Sequence, residues 1–484
     1  MSKNSSFLVA RLAMIASVGG LLFGYDTAVI SGAISSIDLY FIDPLHLPET
    51  AHNTLAGFTV SSALFGCVLG AAAAGWTANR YGRRAALILA AVLFLLSAIG
   101  SAVPELGLGA IGQMGSEALI PFSLYRILGG VGIGLASMIS PLYIAEIAPH
   151  AVRGRLVSYN QMAIVTGIVT VYFVNWAIAR QGDDSWLHTL GWRLMFASEA
   201  LPAALFLLLL MAVPDTPRWL VLKGRDEEAG ALLRELEGEA SGRQALAEIE
   251  ASLIQRTRPL FSFGAGVVVV GILLSVFQQA VGINAVLYYA PSIFSNMGVT
   301  EQGALLQTVL VGAVNMLATL VAIFTVDRWG RKPLLITGGL VMAVAMGSLA
   351  TCFQLGVLGL PALIAVLVYI AGFALSWGPV AWVLLAEIFP NSIKGKALSI
   401  AVAAQWLANI TVSWSFKVLD GNSWLTATFH HGFAYWLYAV ISVLAAIFVA
   451  RFVPETKGRT LESIQTFWVS PSDGLPSSVP EAAD

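Results

Sequence analysis

The sequence predicts an all-α membrane protein of twelve transmembrane helices in two sets of six. Three observations predict it. Apolar runs of about 20 residues, the length that crosses a hydrocarbon core, recur along the chain. Of its 484 residues, 57% are hydrophobic and only 11% are charged, against about a quarter charged in soluble domains. Lys and Arg fall in alternate loops, as a fixed orientation in a bilayer requires.

The runs lie at 9–38, 55–78, 85–103, 121–145, 156–179 and 191–213, and then at 263–297, 304–326, 333–355, 361–386, 396–417 and 432–453. Lys3 and Arg11 ahead of the first run mimic a secretory leader. No small-x-small cleavage site follows, and the run contains Asp26, so it is read as the first span.

Arg80, Arg83 and Arg84 follow the second run, Arg153 and Arg155 the fourth, Arg328, Arg331 and Lys332 the eighth, Lys394 and Lys396 the tenth, and Arg451, Lys457 and Arg459 the twelfth. The central interval adds Arg218, Lys223, Arg225, Arg234, Arg243, Arg256 and Arg258. With twelve spans all of these share one side with both termini, while the other side keeps Arg180, Arg193 and Lys417. Cytoplasmic termini are therefore expected.

Residues 218–258 carry Glu227, Glu228, Arg234, Glu235, Glu237, Glu239 and Glu248 in a helical pattern. Short amphipathic helices and a solvated linker both fit it. The stretch after Trp468 has the composition of a disordered tail. The expected division is 1–213, 214–262, 263–453 and 454–484.

A net charge of −2 gives nucleic acid no purchase. Cys67 and Cys352 lie inside apolar runs with neither metal-ligand nor disulfide spacing, and read as small core residues. The histidines, His46, His52, His150, His188, His430 and His431, fall in or near loops. With no nucleotide loop of the Gly-x-x-x-x-Gly-Lys form and no Ser/His/Asp or metal constellation, an enzyme, ATP coupling and a cofactor are not expected.

The chain repeats itself at offsets of about 240–248 residues. Asn79-Arg80-Tyr81-Gly82-Arg83-Arg84 returns as Asp327-Arg328-Trp329-Gly330-Arg331-Lys332. Ala145-Glu146-Ile147-Ala148-Pro149 with Arg153-Gly154-Arg155 returns as Ala386-Glu387-Ile388-Phe389-Pro390 with Lys394-Gly395-Lys396. Pro214-Asp215-Thr216-Pro217-Arg218 returns loosely as Pro454-Glu455-Thr456-Lys457. Parallel repeats of this kind occur in transporters whose halves rock about a central site.

Asp26 stands in the first run, where a carboxylate costs at least about 2.5–3.5 kcal/mol on insertion scales. Such a group binds a cation, carries a proton or neutralises a buried partner. Arg126, the basic residue deep in the first half, sits a few residues in from one end of the fourth run, at a similar depth. An ion pair favours the ionised carboxylate, and its loss during rocking favours the protonated one. A static pair joining two helices is the competing reading. Glu199 in the sixth run is a candidate third member.

Together these motifs resemble the sugar porter family of the major facilitator superfamily. The matching stretches are Gly82-Arg83-Arg84, Gly330-Arg331-Lys332, Glu146 with Arg153-Gly154-Arg155, Pro214-Asp215-Thr216-Pro217-Arg218, Gln278-Gln279-Ala280-Val281-Gly282-Ile283-Asn284 and Pro454-Glu455-Thr456-Lys457-Gly458. They cover nearly the whole chain in order. Two positions depart from the pattern: Asn79 replaces the usual Asp, and Lys394 the usual Arg. Lys lacks the two-pronged grip of Arg, so these changes are expected to weaken the charge network of one conformation.

The resemblance implies the major facilitator fold, two six-helix halves around a central cavity. It also implies a membrane carrier for a monosaccharide, and Asp26 with Arg126 as the coupling pair. A sugar presents hydroxyls that both donate and accept, with apolar C–H faces, so amides and aromatic walls suit it. The seventh run supplies Gln278, Gln279, Asn284 and Tyr288, which share no narrow face of an unbroken helix. Gly282 and Pro291 suggest a discontinuous one. The resemblance carries Gln161, Gln278, Gln279, Asn284, Trp382 and Gln405 over as sugar contacts, with Asn315, Tyr288, Trp406 and Phe23 as further candidates. Interhelical glue is the alternative for each amide. Gly378-Pro379 reads as a flex point or a simple kink. Glu146 and Glu387 with Arg83, Arg153 and Arg331 read as a latch split between the halves.

The expected activity is proton-coupled import of a pentose, D-xylose, by a monomer in the inner (plasma) membrane. Its partners are then the sugar, the proton and the lipid bilayer. Uncoupled facilitated diffusion of a hexose or pentose is the first alternative, and a transporter-like sugar sensor the second.

Overall fold

The computed structural model describes residues 3–149, 152–254, 259–390, 393–457 and 468. His150, Arg256, Arg258, Gly458, Arg459 and the tail after Trp468 lie outside them, as do the side chains of Lys3, Arg155 and Asp327.

Hydrocarbon offers a backbone no partner but itself, so a membrane-spanning segment of this kind must be helical. Among the described residues there is no β-strand, and 12 helical spans are long and apolar enough to cross a membrane. Spans one to six are Ser5–Leu45, Glu49–Tyr81, Arg83–Ala102, Gly115–Ile147, Leu156–Ala179 and Asp184–Met211. Spans seven to twelve are Gly266–Asn296, Glu301–Val326, Arg331–Leu355, Leu360–Leu385, Lys394–Asp420 and Phe433–Phe452. Several outrun the predicted apolar run: span two begins at Glu49 rather than 55, and span six at Asp184 rather than 191. Composition marks the lipid-facing stretch, whereas backbone hydrogen bonding carries a helix on through polar ends. Between spans six and seven lie three short helices, Pro217–Leu222, Asp226–Glu237 and Glu239–Ile254.

The packing repeats with the sequence. Within the first half span two packs on four, one on five, and three on four and six. Within the second, eight packs on ten, seven on eleven, and nine on ten and twelve. The halves meet where span two packs on eleven and span five on eight, two contacts that the same duplication interchanges. Spans two and three, and again eight and nine, join through one glycine each, Gly82 at φ 105° and Gly330 at φ 91°. That turn needs a backbone region that side chains disfavour.

The end opposite the basic loops is sealed between the halves. Lys417 Nζ donates to Asp38 Oδ2 at 2.7 Å, Asn53 Nδ2 to the Gly421 carbonyl at 2.8 Å, and Trp414 Nε1 to the Thr54 carbonyl at 2.9 Å. Ser423 donates its N–H and hydroxyl to the Glu49 carboxylate at 2.7 and 2.6 Å. Arg193 at this end is buried, bidentate to Glu105 at 2.9 and 2.6 Å and lying over Trp192. Burial alone would raise Glu105, but the hydrogen bonds from Arg193, then Tyr40, win and hold its carboxyl at about 2.

His431, in the loop between spans eleven and twelve, bonds Asp420 at 2.9 Å, and Asn296 at the end of span seven donates to the same carboxylate. The Asp420 hydrogen bond raises the His431 pKa above its ordinary value, against a smaller opposing effect of burial. A raised histidine pKa stabilises the fold fully below the unfolded pKa of about 6.5, and the gain is lost as pH rises through the folded value. His431→Asn should therefore lower the melting temperature of detergent-solubilised protein at about pH 6 and have no effect at about pH 9. A deficit of equal size at both pH values would refute this.

Candidate functional site

Two polar clusters lie within the spans, one in each half. The first is charged. Asp26 on span one and Glu199 on span six are both 0% exposed, and Arg126 on span four is 1% exposed. Arg126 Nη1 donates to Asp26 Oδ1, and its Nη2 donates to the Asp26 backbone carbonyl at 3.0 Å. One guanidinium thus binds both the side chain and the backbone of span one, a grip that Lys could not reproduce. The guanidinium carbon also lies 5.4 Å from the Phe196 ring centroid. Asp26 Oδ2 and both Glu199 oxygens are buried without a hydrogen-bond partner among the described residues. Glu199 stands between the helices Trp192–Ser198 and Ala200–Met211, within electrostatic reach of Asp26 and Arg126. All three sequence candidates thus occupy one site.

The second cluster is a chain of amides. Span seven is broken at Gly282 (φ 95°), which divides it into Gly266–Ala280 and Ile283–Asn296. A Cβ at Gly282 would stand 2.5 Å from the Tyr438 ring, so packing as well as φ demands glycine there. The break lets Asn284 turn back: its Nδ2 donates to Gln279 Oε1 at 2.6 Å. Gln279 Nε2 donates to Gln278 Oε1 at 3.2 Å, and Gln405 Nε2 of span eleven donates to that same oxygen at 2.5 Å. Gln278 Nε2 reaches the Trp377 and Gly378 carbonyls of span ten at 3.2 and 3.4 Å. Gln405 Oε1 is buried and has no partner among the described residues. Four amides from two spans therefore present donors and acceptors in one place, with exchangeable bonds among themselves.

The remaining candidates form a looser set. Phe23 and Trp406 face each other across the halves at 5.7 Å. Tyr288 lies beside the Asn409 side chain, a neighbour the sequence reading missed. Gln161, Asn315 and Trp382 lie on spans five, eight and ten, half-buried except for Asn315, which is buried. The structure gives them no hydrogen bond to the amide chain. Pro291 does not break span seven but sits inside its second helix. Span ten does break, at Ser376 (φ −132°, ψ −88°) rather than at Gly378-Pro379. Pro379 falls in the first turn of Trp377–Ile388, where its missing N–H would have no helical acceptor anyway.

The latch residues form two copies of one arrangement. Arg83 grips Glu146 with Nε and Nη2, both at 2.8 Å, and Thr216 Oγ1 donates to Glu146 at 2.5 Å. Arg331 grips Glu387 at 3.2 and 2.9 Å, and Thr456 Oγ1 donates to Glu387 at 2.5 Å. Asp215 accepts the Arg83 N–H at 2.9 Å, as Glu455 accepts the N–H groups of Arg331 and Lys332 at 3.1 and 3.0 Å. Each carboxylate thus caps the N-terminus of a span. Burial leaves Asp215 raised; Glu455, also raised by burial, is carried below its usual value by the N–H groups around it. Both ion pairs lie within one half rather than between the halves. Arg153 reaches the Ala148 carbonyl at 3.4 Å, again within its own half. Thr216 and Thr456 went unnoticed in the sequence, although both lie in a motif that returns in the second half.

Twelve spans in two matched sets, a buried ion pair in one half and an amide chain in the other, define a polytopic membrane carrier of major facilitator architecture. The family model described as sugar (and other) transporter matches residues 12–468, and the chain belongs to that family. It is 54% identical over 474 residues to the D-xylose-proton symporter of Escherichia coli (strain K12), covering 96% of each chain. It is 49% identical over 473 residues to the glucose facilitated diffusion protein of Zymomonas mobilis, covering 97% of this chain and 99% of that one. Among solved structures, the inward open conformation of the xylose transporter XylE from E. coli matches with a TM-score of 0.86 at 52% identity, covering 95% of this chain and 100% of that one.

Gln278→Ala removes the oxygen on which two other amides converge. Sugar affinity of the purified protein, read by calorimetry, should fall at least tenfold, about 1.4 kcal/mol or more. An unchanged affinity would take Gln278 out of the site.

Proposed function

We propose that the chain is a proton-coupled symporter, a carrier rather than an enzyme, which imports a monosaccharide, D-xylose, by alternating access. The observation that carries the coupling is the Asp26–Arg126 pair, fully buried, with one Asp26 oxygen unpartnered and a second carboxylate beside it. A uniporter needs no titratable group at that depth. The two relatives differ in activity, one a proton symporter and the other a facilitated diffusion protein, at similar identity. Similarity therefore supports a sugar, and the buried carboxylates support the proton.

In the proposed cycle residues 1–213 and 263–453 move as two bodies, joined by 214–262 and followed by the tail 454–484. The basic loops and both termini face the cytoplasm, by the Lys and Arg asymmetry. The seal at the opposite end then makes this an inward-facing arrangement. With Asp26 ionised, Arg126 holds spans one and four together. A proton on Asp26 neutralises it beside Glu199 and leaves the Arg126 bond to the Asp26 backbone carbonyl as the remaining link between spans one and four, which loosens span one. Gln278, Gln279, Asn284 and Gln405 exchange their mutual bonds for sugar hydroxyls. Gln161, Asn315, Tyr288, Trp382, Trp406 and Phe23 complete the walls. The pairs Arg83–Glu146 and Arg331–Glu387 keep each half rigid at its basic end, with Arg153 beside the first. Gly378 and Pro379 lie next to the break of span ten. One chain carries every part, so the unit is a monomer in the inner (plasma) membrane.

The test is external pH in a weakly buffered suspension of de-energised cells given a pulse of D-xylose. The expected result is alkalinisation that Asp26→Asn abolishes while labelled xylose still exchanges. Equilibration of xylose without a pH change would make the chain a uniporter and Asp26 structural. Neither signal would mean another sugar, with glucose, galactose and arabinose next.

A further inference from the structure

Span three takes no part in the proposed cycle, yet it brings a hydroxyl to the coupling carboxylate. Arg126 takes Asp26 Oδ1 and the backbone carbonyl, which leaves Oδ2 free. Span four passes this oxygen at Gly129, where a Cβ would stand 2.6 Å from Asp26 Oδ2 and 2.8 Å from the Cβ of Ser97, with the Ser97 hydroxyl nearer still. Asp26 Oδ2 and Ser97 Oγ therefore border the same methyl-sized space, which only glycine on span four leaves open. Both residues are 0% exposed, and neither oxygen has a hydrogen-bond partner among the described residues.

Serine and threonine hydroxyls inside helices ordinarily bond a carbonyl one turn back. Ser17, Ser31, Thr59, Ser61 and Ser62 do so here, whereas Ser97, like Ser101, Ser123, Ser140 and Ser275, does not; of these, Ser97 is the one that shares the space at Gly129 with Asp26 Oδ2. The groups facing Asp26 from the other packed elements are Arg126 on span four, Glu199 on span six, Cys67 on span two and Tyr288 on span seven. Arg126 is committed to Oδ1, and the Ser97 hydroxyl shares with Oδ2 the space at Gly129.

We propose that Ser97 is a positioning residue for the proton step, engaging Asp26 Oδ2 across the space that Gly129 keeps open. This rests on Asp26 being the coupling carboxylate. A hydroxyl donates to a carboxylate and accepts from a carboxylic acid, so Ser97 can match Asp26 in both protonation states without leaving a buried oxygen unmatched. Its bond to the charged form is the stronger.

The experiment is D-xylose uptake into proteoliposomes under an imposed proton gradient, followed across pH for wild type, Ser97→Ala, Ser97→Thr and Gly129→Ala. Ser97→Ala should move the half-maximal pH of uptake toward alkaline by about 0.5–1 unit, and Ser97→Thr, which keeps the hydroxyl, should restore the wild-type profile. Gly129→Ala should disturb the profile as well, because its methyl fills the shared space. An unmoved Ser97→Ala profile would overturn the proposal, as would a uniform fall at every pH, which would assign Ser97 to packing alone. Wild-type uptake independent of the gradient would instead remove the coupling reading at Asp26, and Ser97 with it.

Discussion

The ion pair of Arg126 and Asp26 is the constraint to which the first half is built. Two charges taken out of water lose several kcal/mol each, and only close pairing with further hydrogen bonds offsets it. Arg126 meets that demand in part: one nitrogen serves the Asp26 carboxylate and another its backbone carbonyl, while Nε has no partner. Glu199 adds a second buried carboxyl group that the guanidinium does not reach. A packed site with unmatched carboxyl oxygens has a resting geometry that cannot be the most favourable one in every protonation state.

Duplication explains the rest of the architecture and also where it stops. Packing partners, single-glycine turns and the Arg–Glu–Thr arrangements repeat between the halves. These elements hold each half together, a task both halves share. The Asp26, Arg126 and Glu199 cluster occurs in the first half and the amide chain in the second. The proposed proton site and the proposed sugar site lie on different halves, and span one packs directly on span seven between them. Phe23 against Trp406 is one place where side chains from the two sides touch directly.

How much of this was legible in the sequence depends on the range of the interaction. The twelve spans follow from composition, because lipid selects for apolar length, and the repeat was visible because its motifs are local. Asp26 and Arg126 stood out because charge is rare at that depth. Details that depend on packing across spans were not legible. The break of span ten lies at Ser376 rather than at Gly378-Pro379, since a proline in a first turn disrupts nothing. The ion pairs expected to link the halves join spans of the same half, because each motif Arg lies at the start of a span whose neighbour ends in its own half's Glu. Ser97 carries no signal of its own; only the oxygen of Asp26 and the missing side chain of Gly129 give it meaning.

The two helix breaks and the amide chain form one device. Gln278 lies just before the break at Gly282 and donates to carbonyls just after the break at Ser376. These carbonyls lie in the first turn of Trp377–Ile388, where a helix leaves N–H groups rather than C=O groups without partners, so Gln278 adds a second donor to them and ties span seven to the start of that helix. A hydroxylated ligand that takes this donor releases that tie. Sugar occupancy in the proposed site is thereby tied to the geometry of a break rather than to a distant signal. That is the differential interaction with two conformations which alternating access requires.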